Sequence, residues 1–230
     1  MIYKIKKLCL MGIWVLAFFM GGALPVLAAG EKHVIVIDPS HGGQDTGVKI
    51  KDKVDEKDIT LIIALALQKE LAQENNLQII LTRDSDRELG LEDRKKIVEK
   101  IKPNFFLSIH VNSGFGKTAS GFELYYPGFK DITERKTAVN VSARQAKNKC
   151  LNDAVKMSHL IQKNLDAVFP RKGRGLREAE TPIIEGLSVP ALVVEIGFAT
   201  NSEDKKKLLS PDTQVEIAQA LVRSIKSFFR

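Results

Sequence analysis

A short apolar run that stops abruptly in a polar, glycine-rich loop constrains this chain more than any other feature. The stretch Val34–Gly47 is VIVIDPSHGGQDTG, in which four β-branched residues are followed by Asp-Pro. Such a run is typical of a core strand that delivers a polar loop to one edge of a sheet. Two glycines follow His41 and let the backbone pass close to a ligand. We therefore predict a metal ion here with His41 as its first ligand, and we expect Gly42 and Gly43 to leave room for metal and substrate.

The rest of the chain alternates between strand and helix patterns, which predicts one α/β domain with a largely parallel sheet. The apolar helix pattern before residue 72 covers more than one face, so we expect this helix to be wedged into the core. An antiparallel strand is expected where the chain reverses near Gly121–Tyr126. Strands are predicted at Leu77–Thr82, Phe105–Ile109, Gly121–Tyr126 and Ala191–Ile196, helices at Ile59–Ala72, Leu91–Ile101, Val155–Phe169 and after Ser210, and loops at Gly128–Asn152 and Pro170–Gly175.

The first 29 residues have the three-part layout of a secretory signal. Three lysines precede the apolar run Leu8–Met20, and small residues at Ala28 and Ala29 suit cleavage. The apolar run alone is short for a membrane span, although extended to Ala29 it could serve as an uncleaved anchor. We predict a signal peptide at residues 1–29 and one exported domain at residues 30–230, located in the periplasm, the cell wall or outside the cell.

Charge and cysteine content narrow the classes of partner and of metal site. Without the three N-terminal lysines the formal net charge falls from +7 to +4, which suits a polyanionic cell envelope. No aromatic-interleaved basic patch or nucleic-acid motif is present, so we expect no nucleic-acid partner. Cys150 is the one cysteine beyond the predicted signal, which excludes an intrachain disulfide and a cysteine-based zinc site. Any metal must therefore use histidines and carboxylates.

Ionisable residues follow three of the predicted buried strands. His41 follows the first strand, His110 directly follows Phe105–Ile109, and Glu195 lies at the end of an apolar run. Glu56 lies at the start of the first helix. Ligands gather at the carboxyl ends of strands in open α/β sheets, so these four side chains could meet at one rim. Two histidines and one carboxylate are a common zinc set that leaves a position open for water, and a second carboxylate can act as general base.

Each of these residues also has a structural interpretation. His41 could cap its glycine-rich turn, His110 could be a partly buried histidine at a strand end, and Glu56 could be a helix N-terminal charge. Glu195 is harder to explain in this way, because burying an unpaired acid is costly. Position alone leaves both the metal site and these structural roles open. Structural or exposed positions are expected for the other two histidines, His33 and His159.

Six motifs together resemble the catalytic domain of the zinc-dependent N-acetylmuramoyl-L-alanine amidases of the amidase type 3 family. In chain order they are IDPSHGGQDTG, EKDITLIIALAL, LTRDSD, FLSIHVNS, GFELYY and PALVVEIGFATN, and they cover nearly all of His33–Phe229. The resemblance implies a single α/β domain with a twisted, mostly parallel central sheet of about six strands flanked by helices. Ser40 departs from the family, which usually has glycine there, so the backbone of this loop could differ slightly.

The resemblance also implies a role for each residue of the constellation. His41, Glu56 and His110 match zinc ligands, and Glu195 matches the catalytic glutamate. The family cleaves the amide between the lactyl group of N-acetylmuramic acid and the L-alanine of the stem peptide. We therefore expect a monomeric, Zn²⁺-dependent peptidoglycan hydrolase that acts in cell wall remodelling. An activator protein is a further candidate partner, and membrane contact is expected only through the N-terminal segment.

Two other functions remain open at this point. One is a zinc peptidase of the envelope that cuts within the stem peptide. The other is an inactive or regulatory peptidoglycan-binding protein on the same fold. Such a protein usually lacks a ligand or the glutamate, and because all four residues are present here, the sequence favours the enzyme.

Overall fold

A computed structural model of the chain describes residues 32–127, 141–179 and 181–230. The predicted signal segment at residues 1–29 lies outside these ranges. Within them no helix combines the length and the apolar character needed to cross a bilayer. The elements, in chain order, are β1 (His33–Pro39), β2 (Lys49–Lys51), β3 (Val54–Asp55), α1 (Glu56–Leu71), β4 (Leu77–Leu81), α2 (Leu91–Ile101), β5 (Phe105–Asn112), β6 (Phe122–Tyr126), α3 (Val141–Leu165), β7 (Gly173–Glu178), β8 (Ala191–Phe198), α4 (Ser202–Leu209) and α5 (Pro211–Phe228).

One six-stranded sheet forms the centre of the domain, with the strand order β4-β1-β5-β8-β6-β7. Strands β4, β1, β5 and β8 run parallel to one another, whereas β6 pairs antiparallel with β8 and β7 pairs parallel with β6. The short strands β2 and β3 form a separate antiparallel pair. The predicted α/β class, the mostly parallel six-stranded sheet and the antiparallel strand near Tyr126 are confirmed. This order places the carboxyl ends of β1, β5 and β8 side by side.

Helices cover both faces of the sheet and divide the core into two layers. The larger layer lies between one face and the helices α1, α3 and α5, and it includes Leu67, Ile161 and Leu221. The smaller layer lies on the other face, where Val98 of α2 and Ile184 pack against the sheet. Alternate residues of each strand point to opposite faces, so buried apolar side chains of β8 contribute to both layers.

Helix α1 begins at Glu56, the residue expected at its start and three residues before the predicted apolar run, but it is not wedged into the core. The backbone N–H of the preceding Asp55 donates to the carboxylate of Asp58 at 2.9 Å, which favours a start there. One face of the helix is buried against the sheet and α5, but Ile62 and Leu65 on the other face are exposed by 47% and 39%. The helix therefore carries more apolar side chains than its neighbouring elements cover.

Other segments also differ from the sequence predictions. The loop predicted at Gly128–Asn152 is wrong from Val141 onwards, because helix α3 begins there; residues 128–140 lie outside the described ranges. The loop predicted at Pro170–Gly175 is wrong at its end, because β7 begins at Gly173. Helix α4 was not predicted. These segments carry few buried apolar side chains, so their periodicity in the sequence is weak.

Candidate metal centre

The loop after β1 is held by two arginines that come from elsewhere in the chain. Arg83 donates to the carbonyl oxygens of Pro39 and Ser40, at 3.0 and 2.8 Å. Arg94 of α2 donates to those of Pro39 and His41, at 2.9 and 2.6 Å, and forms an ion pair with the buried Asp38. His41 has a φ of 60°, a conformation that is uncommon for a residue with a side chain. The two guanidinium groups therefore fix a loop backbone that positions His41.

The glycines of this loop make room for different neighbours. A Cβ on Gly42 would lie 2.3 Å from the carbonyl oxygen of Arg87, and one on Gly43 would lie 2.6 Å from the backbone nitrogen of Glu88. These two glycines allow another chain segment to pass close to the loop, and the room expected there for metal and substrate stays a prediction. Gly47 instead lies against the predicted ligands, because a Cβ there would lie 2.5 Å from His41 Cδ2.

Three predicted ligands meet at one point of the structure. Three possible ligand atoms lie within 4.8 Å of one another, one each from His41, Glu56 and His110. His41 Nε2 and His110 Nδ1 are each 3.2 Å from Glu56 Oε1, and the imidazole rings are arranged edge to face with centroids 5.5 Å apart. The other ring nitrogen of His41, Nδ1, lies 2.8 Å from the carboxylate of Asp45. A proton on Nδ1 would leave Nε2 free to accept, as in many metal-binding histidines.

Glu56 is fixed in position by three donors besides the histidines. Its Oε1 accepts from the backbone N–H of Val111 at 2.9 Å and from the Ser40 hydroxyl at 3.1 Å. Its Oε2 accepts from the backbone N–H of Val48 at 2.9 Å. The residue is only 2% exposed. Ser40, which departs from the family pattern, thus contributes directly to the orientation of this carboxylate.

The pKa values within the cluster reflect this close contact. Burial alone would raise the pKa of Glu56, but its hydrogen bonds with His110 and His41 hold that pKa far below its usual range. Burial alone would lower the pKa of His41, but the carboxylates of Glu56 and Asp45 raise it to about 8. The protein without metal therefore favours a carboxylate in contact with a protonated imidazole. A divalent cation would replace that proton as the positive partner.

Glu195 lies on the strand next to His110. The two residues are direct register partners of the parallel pair β5 and β8. Its Oε2 is buried and has no hydrogen-bond partner within the described residues. Burial raises the pKa of this carboxyl to about 7, and the charges of Glu56 and Glu123 act in the same direction. An unpartnered carboxyl with a pKa near neutrality is suited to both accepting and donating a proton.

Sequence reasoning missed a second polar cluster beside Glu195. Glu123 of β6 is the register partner of Glu195 across the antiparallel pair, and it is 4% exposed. Its carboxylate accepts from Asn112 and Tyr125 and forms ion pairs with two arginines of β7. A charged residue inside the alternating pattern GFELYY could have indicated this cluster, because a buried acid requires partners.

The histidines expected to be structural or exposed lie away from the centre. His33 stacks on Phe229 with a centroid distance of 4.8 Å, and His159 is exposed on α3. The structure thus brings together His41, Glu56 and His110 and sets Glu195 on the adjacent strand. Two imidazole nitrogens and a carboxylate oxygen form the donor set of open, catalytic zinc sites. The roles of the four residues stay predictions.

Comparison with known proteins identifies the family of the chain. Residues 35–227 match the family model Amidase_3, described as N-acetylmuramoyl-L-alanine amidase. The amidase AmiC of Escherichia coli O6:H1 is 24% identical over 219 residues, a match that covers 85% of this chain and 52% of AmiC, so the chain spans about half the length of that relative.

Two solved structures have the same fold. The catalytic domain of CwlV, an N-acetylmuramoyl-L-alanine amidase from Bacillus (Paenibacillus) polymyxa var. colistinus, is 28% identical with a TM-score of 0.67, covering 85% of this chain and 97% of that one. The CwlD amidase of Clostridioides difficile, solved in complex with the GerS lipoprotein, is 26% identical with a TM-score of 0.70, covering 86% and 98%. The family model spans almost all of the described domain, and this chain therefore belongs to the Amidase_3 family of N-acetylmuramoyl-L-alanine amidases.

Proposed function

We propose that this chain is a zinc-dependent peptidoglycan amidase that cleaves the bond between N-acetylmuramic acid and the L-alanine of the stem peptide. The observation that carries the proposal is the convergence of His41, Glu56 and His110 next to Glu195, one carboxyl oxygen of which is buried without a hydrogen-bond partner in the described part of the chain. Family membership supports the reaction class, and the donor set supports zinc.

The metal would be held by His41 Nε2, His110 Nδ1 and the carboxylate of Glu56. Asp45 orients the His41 ring, and the backbone N–H groups of Val48 and Val111 orient Glu56. Zinc bound there would polarise the scissile carbonyl and lower the pKa of an attacking water. Because His41 and Glu56 are each held by a further contact, these two ligands are oriented before any metal binds.

Glu195 would carry the protons of the reaction. Its buried carboxylate takes a proton from the attacking water and later gives it to the departing nitrogen of L-alanine. A pKa raised to about 7 by burial suits both steps near neutral pH. Removing such an acid-base group lowers rates about 100- to 10,000-fold.

The setting of the reaction is also part of the proposal. The N-terminal layout of residues 1–29 indicates export, which would bring the domain to the peptidoglycan of the envelope. The structural relative CwlD was solved with the GerS lipoprotein, and by analogy a regulatory protein could bind this domain. Otherwise we expect it to act as a monomer on peptidoglycan.

Mass spectrometry of digested cell wall tests this proposal. Purified sacculi are incubated with the protein, with the protein plus chelator, and with the chelated protein after zinc is restored. We expect release of intact stem peptides with a free L-alanine N-terminus, loss of release with chelator, and recovery with zinc. The matched control is Glu195→Gln, which should bind zinc and release about 100-fold less product or even less.

Three other results would contradict it. Fragments cut within the stem peptide would indicate a peptidase. Binding to sacculi without release of any product would indicate a wall-binding protein. Release by Glu195→Gln at the wild-type rate would remove Glu195 from the mechanism, even if the products are those of an amidase.

A further inference from the structure

We propose that Arg174 and Arg177 of β7 form a subsite beside Glu195 that binds a carboxylate of the stem peptide. The inference rests on the proposed function for the identity of the substrate, and it adds a determinant of specificity. The observations that carry it are the bulge that brings both arginines to one face and the buried glutamate that orients them.

A bulge in β7 places the two arginines on the same face of the sheet. Residues 174 and 177 are three positions apart, so a regular strand would point them to opposite faces. In the pairing of β6 with β7, Phe122 faces Gly173 and Leu124 faces Leu176. One residue of β6 thus opposes two residues of β7, which is the count of a β-bulge. The extra residue re-aims Arg174, and both side chains reach Glu123.

Glu123 orients both guanidinium groups and uses few of their donors. Arg174 Nε lies 2.7 Å and Arg177 Nη2 lies 3.4 Å from the same carboxylate oxygen, Oε1. The other oxygen accepts from Asn112 and Tyr125 at 2.7 and 2.6 Å. Each guanidinium group has five N–H donors, so most remain available for a planar anion.

Charge and exposure also favour an anionic ligand. The Glu123 side chain is only 6% exposed, whereas those of Arg174 and Arg177 are exposed by 39% and 48%. Two positive charges against one negative charge leave an excess of one positive charge on the exposed side of the cluster. Arg174 also lies over the ring of Phe198, 5.4 Å from its centroid, which restricts its movement.

Strand order places the two arginines on the far side of Glu123 from Glu195, in the direction that we assign to the stem peptide. Glu123 and Glu195 are direct cross-strand partners, whose Cβ atoms are about 5 Å apart in such pairs, and the guanidinium groups lie beyond Glu123. An extended peptide advances about 3.5 Å per residue, so the residue after L-alanine lies about 7 Å from the scissile bond. In peptidoglycan this residue is an acidic one whose α-carboxylate is either free or amidated. We therefore assign the subsite to that free carboxylate.

The test compares two stem tripeptides that begin with L-alanine. They differ only in the α-carboxyl group of the second residue, which is free in one peptide and amidated in the other. Their affinities for the zinc-loaded full chain are measured by calorimetry, and the hydrolysis of the matching muramoyl tripeptides is measured in parallel. We expect the acid to bind at least about 10-fold more tightly than the amide. In the double variant Arg174→Gln/Arg177→Gln this ratio should fall to near one. Arg223→Gln, which removes a charge from the exposed face of α5, should keep the wild-type ratio.

A wild-type ratio near one would overturn the subsite, and so would a ratio that survives in the double variant. If the double variant does not fold, Arg177→Lys decides, because it keeps the charge and loses the planar fork, and an unchanged ratio would contradict the proposal. Calorimetry requires no bond cleavage. Selective binding without hydrolysis would therefore refute the proposed amidase activity but support the subsite. Hydrolysis without selectivity would support the amidase activity but refute the subsite.

Discussion

Glu56 is the single residue on which the candidate metal centre depends most. Its carboxylate contacts both histidines and accepts three further hydrogen bonds, all within a nearly inaccessible site. From the sequence its simplest interpretation was a helix N-terminal charge. The structure shows that the helix start and the histidine contacts belong to the same residue, because α1 begins where the loop from β1 returns. That coincidence depends on tertiary structure, so position alone could not separate the two roles.

Gly47 provides a residue-scale prediction about this centre. Replacement by alanine would place a methyl group 2.5 Å from His41 Cδ2 and 2.6 Å from Glu56 Oε2, so we expect zinc affinity to fall about 10- to 100-fold. Competition with a chromogenic chelator measures the change. Gly116→Ala is the matched control, because Gly116 also has a positive φ, of 77°, but faces open space. Equal losses in both variants would attribute the effect to backbone strain and contradict this account.

Glu195 provides a prediction about pH. In the metal-free protein its pKa is raised to about 7, so ionisation in the folded state costs stability once the pH passes the unfolded value near 4.5. Glu195→Gln should therefore increase the free energy of unfolding relative to wild type. The gain is near zero at pH 4, grows up to pH 7, and reaches at most about 3 kcal/mol above it. Urea unfolding with chelator at a series of pH values checks this, and a gain that is independent of pH would contradict it.

At the scale of elements, the loop after β1 depends on helix α2. Arg94 on that helix contacts the loop carbonyls and the carboxylate of Asp38, which also accepts from Thr82 and Ser108 of neighbouring segments. A buried charge held by several elements fixes the loop more firmly than its own glycine-rich sequence could. The sequence places the motif LTRDSD at the end of a strand. It does not show that Arg83 in this motif points beneath the loop of another strand, so this contact could not be predicted.

Arg94→Gln tests this dependence. The change leaves Asp38 without its ionic partner in a buried site, so we expect a loss of about 3 kcal/mol or more in the free energy of unfolding. Lys96→Gln on the same helix removes an exposed pair with Asp93 and should cost less than about 1 kcal/mol. Chemical denaturation of both variants gives the comparison. Similar small losses would show that the ion pair does not hold the loop.

Strands with buried β-branched runs were predictable, and elements with mixed surfaces were not. Strand β1 is almost fully buried, so its sequence is nearly continuous in apolar residues. Strand β7 lies at the sheet edge with two glycines, two arginines and no fully buried position, so its sequence resembles a basic turn. The start of α3 is similar, since its first ten residues are mostly exposed and polar. The arginine cluster was missed for this reason, because it depends on a bulge in the least predictable strand.

At the scale of the whole molecule, strand order assembles the site. Three motifs far apart in the sequence end up adjacent because β1, β5 and β8 are consecutive in the sheet and point the same way. That the side chains after β1, β5 and β8 lie near one another could therefore be predicted from strand ends, whereas Glu56 joins them from the start of α1 and the roles of the four residues stay predictions. The antiparallel β6 and its partner β7 extend the rim on one side, and they supply the second polar cluster next to Glu195.

Anomalous X-ray diffraction from zinc-loaded crystals, recorded on both sides of the zinc absorption edge, tests the central claim most directly. The account predicts an edge-dependent peak about 2.0–2.2 Å from His41 Nε2, from His110 Nδ1 and from a carboxylate oxygen of Glu56. The same peak should be absent from crystals of Glu56→Ala. An edge-dependent peak elsewhere on the domain, with no density among these three residues, would contradict it.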